Sequence, residues 1–136
     1  MRCVLVDTSF IVALLDKSEA QHRACKKVLA QLTAPLLTCE AVIAEACYLV
    51  RNIPGAADAV LANVEAGILQ IPLDLSLHSK RLREIMRTYA NVPADLADAC
   101  LVVLAEEYET GLILTLDSDF AVFRWKKRRA FQNLLS

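Results

Sequence analysis

Short apolar runs and longer amphipathic segments alternate along the chain, and this alternation predicts its secondary structure. Short, mainly aliphatic runs predict strands at 3–6, 36–38, 68–72 and 112–116. Longer segments with helical spacing of apolar residues predict helices at 8–15, 18–31, 40–51, 56–65, 75–89 and 94–109. Proline and glycine breaks separate these elements. We expect a short helix and a final strand after residue 119.

Strands that alternate with helices predict a parallel α/β sheet with helices on both faces. The 3–6 strand is apolar at consecutive positions, as expected of a strand buried on both faces. The 68–72 segment is expected to be an edge strand, and Ser18 is expected to cap the second helix. Because the chain has 136 residues and no linker or internal repeat, we expect a single domain, 1–136.

Two carboxylates follow predicted strands. Asp7 comes after the 3–6 strand, and Asp117 comes after the 112–116 strand, with Asp119 two residues further on. In open α/β sheets ligands bind just beyond the carboxyl ends of the strands, so both positions favour a site. The alternatives are a helix cap at Asp7 or Thr8 and an ordinary Asp-Ser-Asp turn at Asp117.

Two further carboxylates lie on apolar helices. Glu45 has three aliphatic residues and a tyrosine one turn away, so we expect a buried carboxylate unless the side chain reaches solvent at the helix edge. Asp98 opens the most apolar helix of the chain, where Asp95 and Asp98 also have the spacing of a capping pair. Capping and metal binding are compatible, so both interpretations of Asp98 stay open.

Several carboxylates that converge repel one another, and burial increases the repulsion. A hard divalent cation removes this conflict. Mg²⁺ takes oxygen ligands, typically one or two carboxylates together with water and a substrate phosphate. Such an ion can lower the pKa of bound water and stabilise the leaving oxygen of a phosphodiester. The carboxylate pattern therefore predicts a metal site at the strand ends.

Charge is distributed unevenly along the chain. Five basic residues and no acidic ones follow Asp119, and the rest of the chain carries ten basic against sixteen acidic residues, a net charge of −6. This basic tail consists of Arg124, Lys126, Lys127, Arg128 and Arg129. We expect it to bind the phosphate backbone of a nucleic acid, with Trp125 stacking on a base. The alternative is that these charges protect an exposed sheet edge.

Composition bears on assembly and location. Apolar residues make up 56% of the chain, which is high for a small domain and predicts a self-association surface. The five cysteines form no C-x-x-C pair and lie in apolar stretches, so we expect core thiols in a reducing compartment. There is no leader pattern and no membrane-spanning stretch, so we expect a cytoplasmic protein without membrane association.

Four motifs resemble those of PIN-domain proteins and, within that group, the VapC-type toxin ribonucleases of type II toxin–antitoxin pairs. The motifs are V-L-V-D-T-S at the start, E-A-V-I-A-E-A from residue 40, L-A-D-A from residue 96 and T-L-D-S-D-F from residue 115. The resemblance covers essentially the whole chain. It implies a three-layer α/β/α fold with a parallel sheet of about five strands.

The resemblance also implies a Mg²⁺- or Mn²⁺-dependent endoribonuclease in which water attacks the RNA phosphorus in line. The catalytic acids of the family match Asp7, Glu45, Asp98 and Asp117, and hydroxyl positions that support the metal match Thr8, Ser9 and Thr115. Asp117 and Asp119 both fall in the last motif, so either is the fourth ligand. Asp95 is an additional nearby carboxylate. A homodimer is implied, as is an antitoxin whose C-terminal segment enters the groove.

Three other interpretations compete with a nuclease. A haloacid-dehalogenase-like phosphatase usually carries a second Asp two positions after the first, where this chain has Ser9. A receiver domain needs an acidic pair near the first strand, and Asp7 has no acidic neighbour. The main non-enzymatic alternative is a PIN scaffold that binds RNA or a protein without cutting, and the four acids argue against it.

Overall fold

A computed structural model describes residues 2–135. The strands are Val4–Val6 (β1), Leu36–Leu37 (β2), Leu69–Gln70 (β3), Leu112–Leu114 (β4), Arg124–Trp125 (β5), Arg129–Ala130 (β6) and Gln132–Asn133 (β7). The α-helices are Thr8–Leu15 (α1), His22–Gln31 (α2), Glu40–Leu49 (α3), Ala56–Glu65 (α4), Ser79–Thr88 (α5) and Leu96–Tyr108 (α6). Two 3₁₀ turns, Leu75–His78 and Ser118–Ala121, complete the described elements.

The sheet has five parallel strands in the order β3-β2-β1-β4-β7, as the resemblance implied. All three residues of β1 are buried, and successive side chains of a strand point to opposite faces. Helices therefore cover both faces, which confirms the predicted three-layer α/β/α fold. β3 is an edge strand, as predicted.

The register of the central strands decides where the site lies. Val6 at the end of β1 pairs with Leu114 at the end of β4. The residues that follow these two, Asp7 and Thr115, consequently leave the sheet side by side. The Asp7 amide continues the ladder by donating to the carbonyl of Leu114 at 3.1 Å.

α6 lies in the centre of the fold. Nine of its residues are buried, in an unbroken run that starts at Ala97 and ends at Ala105. A helix that is apolar all round is stable only when protein surrounds it, which explains the weak periodicity of this segment. Because the first turn of α6 lies beside β1, the helix brings Asp98 towards the strand ends.

Two predicted helices, 18–31 and 75–89, begin later in the structure because of local hydrogen bonds. α2 begins at His22 rather than at Ser18, because the Asp16 carboxylate captures both the amide and the hydroxyl of Ser18 at 3.0 and 2.6 Å. Ser18 is therefore held in a turn and caps no helix. The predicted helix 75–89 is divided into the 3₁₀ turn Leu75–His78 and α5, since Asp74 caps the turn through the amide of Ser76.

Gly111 follows α6 but does not form its cap. α6 ends at Tyr108, and Glu109 adopts the left-handed conformation that caps it. A Cβ atom at Gly111 would lie 2.5 Å from Nε1 of Trp125, so only glycine lets the tryptophan pack there. Trp125 is only 6% exposed, and its Nε1 donates to the carbonyl of Ala130 at 3.2 Å. The prediction that Trp125 stacks on an RNA base is therefore wrong.

The basic tail does not border the five-stranded sheet. β5 and β6 form an antiparallel hairpin of their own, with Lys126 and Lys127 in left-handed conformations at its turn. The sheet edges that the tail occupies are therefore those of its own hairpin and not of the main sheet, where β7 lies beside β4 at the edge. All five cysteines are free thiols. Within residues 2–135, no helix combines the length and apolar character needed to cross a bilayer.

Candidate active site

Three aspartates meet where β1, β4 and α6 come together. Asp7 follows β1, Asp117 follows β4 by three residues, and Asp98 lies in the first turn of α6. Each offers one carboxylate oxygen, and these oxygens all lie within 4.8 Å of one another. Oxygens at this spacing can share one divalent cation of the Mg²⁺ type, which accepts carboxylate ligands. Asp7, Asp98 and Asp117 thus form a candidate metal centre.

Asp7 is the best-defined of the three. Its side chain is buried, with Oδ1 accepting from the Thr8 amide at 2.8 Å and Oδ2 accepting from the Thr115 hydroxyl at 2.6 Å. Burial raises the pKa of Asp7 to about 6, although both hydrogen bonds favour the ionised form. The negative charges of Asp117 and Glu45 make smaller contributions to the same increase in pKa. The ionised carboxylate is therefore costly here until a cation neutralises it.

Asp98 has two roles at once. Its Oδ2 accepts from the Asp95 amide at 3.1 Å, while the Asp95 side chain accepts from the Asp98 amide at 2.9 Å, which forms a capping box. One oxygen of Asp98 is left for the shared site. Burial is the main cause that raises the pKa of Asp98. The predicted capping pair is present, and it orients Asp98 towards Asp7 and Asp117.

A hydroxyl network fixes the strand-end acids. Thr115 donates to Asp7 and accepts from the Asp117 amide at 2.9 Å, so one hydroxyl spans both strands. The Ser9 hydroxyl lies 3.3 Å from that of Thr115 and accepts from the Leu116 amide at 2.8 Å. Ser9 and Thr115 thereby set the relative positions of two candidate ligands. The Thr8 hydroxyl is buried and has no hydrogen-bond partner within residues 2–135.

The aspartates line an open pocket of about 930 Å³ that is strongly acidic. Seven of its lining residues are acidic, namely Asp7, Glu19, Glu45, Asp95, Asp98, Asp117 and Asp119. No basic residue lines this acidic pocket in the described part of the chain. A phosphodiester can approach such a surface only when cations offset the charge.

Glu45 and Asp119 lie outside the tight cluster. Glu45 is exposed on α3 and lines the pocket, so the prediction that it is buried is wrong and its side chain reaches solvent at the helix edge. The Asp119 amide donates to Oδ1 of Asp117 at 2.9 Å, which forms the predicted turn. This turn brings Asp117, rather than Asp119, within ligand distance of the other aspartates. Sequence reasoning did not identify Glu19, an exposed pocket residue without a motif around it.

Comparison with known proteins shows where this arrangement belongs. A sequence model of the PIN domain matches residues 4–126. The chain belongs to the PIN-domain family. This PIN domain is 32% identical over 116 residues to ribonuclease VapC26 of Mycobacterium tuberculosis, covering 84% of this chain and 86% of that protein. Its fold is similar to the crystal structure of VapC20 of Mycobacterium tuberculosis, a sarcin–ricin loop cleaving toxin. The TM-score is 0.80 at 22% identity, over 93% of this chain and 98% of that one. The resemblance to VapC-like PIN proteins is confirmed.

Sequence reasoning missed Asn133 of this PIN domain. Its side chain donates to the carbonyl of Thr115 at 2.8 Å and accepts from the Thr115 amide at 3.4 Å. It also accepts from the Leu135 amide at 3.2 Å. Asn133 on β7 therefore holds the backbone of the residue that orients Asp7. The available signal was an amide side chain within an otherwise mainly apolar final segment.

The basic tail of the PIN domain makes several internal contacts. The Lys126 ammonium pairs with Glu109 at 2.6 Å, and the Arg129 guanidinium lies 5.0 Å from the Trp125 ring centroid. Nη1 of Arg124 donates to three carbonyls at the end of the Ser118–Ala121 turn and just beyond it. Lys127 and Arg128 are exposed, and neither side chain makes a hydrogen bond or ion pair with residues 2–135.

Proposed function

We propose that this PIN domain is a metal-dependent endoribonuclease that hydrolyses RNA phosphodiester bonds, acting as the toxin of a type II toxin–antitoxin pair. The observation that carries the proposal is the convergence of Asp7, Asp98 and Asp117 in the acidic pocket. Its similarity to ribonuclease VapC26 along most of both chains supports the same activity. Residues 1–136 would act as a single PIN-like domain in the cytoplasm.

The donor set fits Mg²⁺ or Mn²⁺. Asp7, Asp98 and Asp117 supply hard oxygen ligands, and the buried Thr8 hydroxyl, which has no partner within residues 2–135, adds another polar atom beside the site. When bound, the ion supplies an acidified water and neutralises charge on the leaving oxygen. Thr115 donates to Asp7 and aims its carboxylate at the site, and the Asp95 amide aims the Asp98 carboxylate in the same way through the capping box.

The outer acids have supporting roles in this proposal. Glu45 stands on α3 at the exposed side of the acidic pocket, where its carboxylate can accept a proton from attacking water or contact the ion through water. Asp119 lies two residues beyond Asp117 and would surround the metal ligands without being one of them. Ser9 holds the β4 end in place rather than touching substrate.

The charges and apolar residues on the surface support three proposed partners, namely RNA, an antitoxin and a second copy of the chain. Arg124, Lys127, Arg128 and Arg129 supply the positive charge that an RNA backbone requires, whereas Lys126 is already paired with Glu109. An antitoxin would silence the enzyme by covering the acidic pocket.

Leu75, Leu77 and Met86 are exposed around α5, and this apolar surface supports the proposed homodimer. A monomer in light scattering at micromolar concentration would contradict the dimer.

Cleavage of total cellular RNA by the purified chain tests the activity. We expect cleavage with Mg²⁺ and none with EDTA, and we expect Asp7→Asn to reduce the rate by more than about 100-fold, because even supporting residues around a metal commonly account for 10–100-fold. Asp58→Asn is the matched control, since Asp58 is exposed on α4 and lies outside the pocket. Binding of RNA without any metal-dependent cleavage would favour the scaffold alternative.

A further inference from the structure

A second cleft lies between the end of α5 and the β5–β6 hairpin. It is open, has a volume of about 1070 Å³, and is lined by Arg81, Glu84, Arg87, Tyr89, Arg124 and Lys127 among others. We refer to it as the basic cleft. Its lining contains four basic residues and one acidic residue, which is the reverse of the balance in the acidic pocket.

The four cations of the basic cleft are not equally available. Arg81 is held by Glu106, with nitrogen–oxygen distances of 2.8 Å, and also contacts Glu84 at 3.5 Å. Arg87 and Lys127, in contrast, make no side-chain hydrogen bond or ion pair with any residue from 2 to 135. Arg124 binds carbonyls through Nη1, and none of its other side-chain nitrogens has a partner in the same range. Three cations are therefore available for an anionic ligand.

The floor of the basic cleft is rigid. The Tyr89 hydroxyl accepts from the Arg124 amide at 2.9 Å, which ties the end of α5 to the hairpin. The rings of Tyr89 and Phe123 pack edge to face, with centroids 5.0 Å apart. Lys127 is in a left-handed conformation at a defined turn, so its Cα position is fixed by the hairpin. The backbone segments that carry Arg124 and Lys127 are thus held in place before any ligand binds, which reduces the ordering cost of binding.

The basic cleft and the acidic pocket are linked by two short stretches of chain. Tyr89 lines the cleft and Pro93 lines the pocket, and four residues of extended chain span at most about 14 Å. Asp119 lines the pocket and Arg124 lines the cleft, and the five residues of chain from one to the other span at most about 18 Å. An RNA strand with one phosphate at the three aspartates would therefore reach the basic cleft within a few nucleotides.

We propose that the basic cleft binds the phosphate backbone of the RNA strand to one side of the bond being cut, through Arg87, Arg124 and Lys127. This inference rests on the proposed function and extends the RNA contact from the tail to α5. Guanidinium groups match phosphate in a bidentate geometry, and an ammonium adds a point charge. The acidic pocket repels the same backbone, so the cleft holds the strand while the metal site receives a single phosphate.

The test compares Arg87→Gln/Lys127→Gln with Lys26→Gln/Lys27→Gln. The control removes the same charge from exposed positions on α2, outside both pockets. Binding of a single-stranded RNA is measured in EDTA over a range of salt concentrations, so that no cleavage occurs. We expect the cleft variant to flatten the log–log salt slope by about 1.4, or about 0.7 for each phosphate contact. The control should keep the wild-type slope, and both variants should keep the wild-type melting temperature and Mg²⁺ affinity.

Three outcomes would overturn the proposal. The first is a wild-type salt slope in the cleft variant, and the second is an equal loss of slope in both variants. The third comes from a parallel measurement with polyglutamate, in which the cleft variant loses polyglutamate binding and keeps RNA binding. The last result would assign the cleft to an acidic protein. Because binding is measured without metal, it does not depend on cleavage. A chain that binds RNA through the cleft but never cuts RNA would contradict the proposed function and would still support the role of the cleft.

Discussion

The acidic pocket and the basic tail carry opposite charges and are built in different ways. In the pocket, Asp7 and Asp98 are buried, fixed by hydrogen bonds and surrounded by like charges. In the tail, Lys126 is paired with an exposed glutamate, and Lys127 is exposed to water. Charges interact strongly in a buried site and weakly at a screened surface. Protons and metal ions should therefore control the pocket, whereas salt should control the tail.

The largest effect we expect is on the pH dependence of stability in metal-free buffer. The pKa of Asp7 is about 6 in the folded chain, against 3.8 in the unfolded reference, so the folded state holds this proton more tightly. Its contribution to the free energy of unfolding is intact below pH 3.8 and is lost as pH rises to about 6. The loss amounts to about 3 kcal/mol above that pH. Denaturant unfolding in EDTA from pH 4 to pH 8 measures it.

Asp7→Asn provides the comparison for this measurement. The variant should be more stable than the wild type in EDTA at pH 7.5, and the difference should grow between pH 4 and pH 6 and then level off. Mg²⁺ should stabilise the wild type more than the variant, because the ion binds the folded site by mass action. A variant that melts below the wild type in EDTA would show that Asp7 acts mainly as the cap of α1.

The next largest effect should come from Asn133→Ala. This change removes the amide that holds the backbone of Thr115, and therefore weakens the alignment of Asp7 and Asp117. We expect Mg²⁺ affinity, measured by calorimetry, to fall by about 10-fold, the lower end of the range for residues that orient metal ligands. Gln132→Ala is the matched control on the same strand, since its side chain is exposed and makes no hydrogen bond to Thr115 within residues 2–135. Equal affinity in the two variants would restrict Asn133 to a purely structural role.

The smallest effect should come from Lys126→Ala. Its ammonium is paired with Glu109 at 2.6 Å, so the chain has no net charge at this pair to offer a phosphate. The salt slope of RNA binding should stay at the wild-type value, in contrast to the change expected for Arg87→Gln/Lys127→Gln. A slope that flattens by about 0.7 would mean that RNA displaces Glu109 and that the ion pair is no barrier to binding.

Local signals predicted most of the fold. An apolar run that ends at Asp7 placed β1 and α1, because the carboxylate both stops the strand and accepts from the first helical amide. The predicted helix at 94–109 is apolar on all sides. This composition both removes its periodicity and indicates that it lies in the centre of the fold. The start of α2 was misplaced because Ser18 donates to Asp16 in a turn instead of capping the helix, and the sequence does not show which of these two arrangements forms.

The candidate site was predictable only where strand ends carry it. Asp7 and Asp117 could be located from the order of strands and acids, whereas Asn133 contacts Thr115 across 18 residues, and no pattern in the sequence indicates that contact. Glu45 was predicted to be buried because the spacing of apolar residues shows which face of a helix is buried. It does not show how wide that buried face is. Trp125 was misread for a similar reason, since only the tertiary structure shows that Gly111 leaves room for its ring.

The position of β7 in the sheet also bears on the order in which the site is made during translation. β1, β4 and α6 are synthesised first, and Asn133 follows them on the last strand that is added to the sheet. Proteins are made from the amino terminus, at about 5–20 residues per second. A nascent chain that ends before residue 133 has all three aspartates but lacks the amide that holds Thr115. The alignment of the metal ligands is therefore completed only after residue 133 has been synthesised.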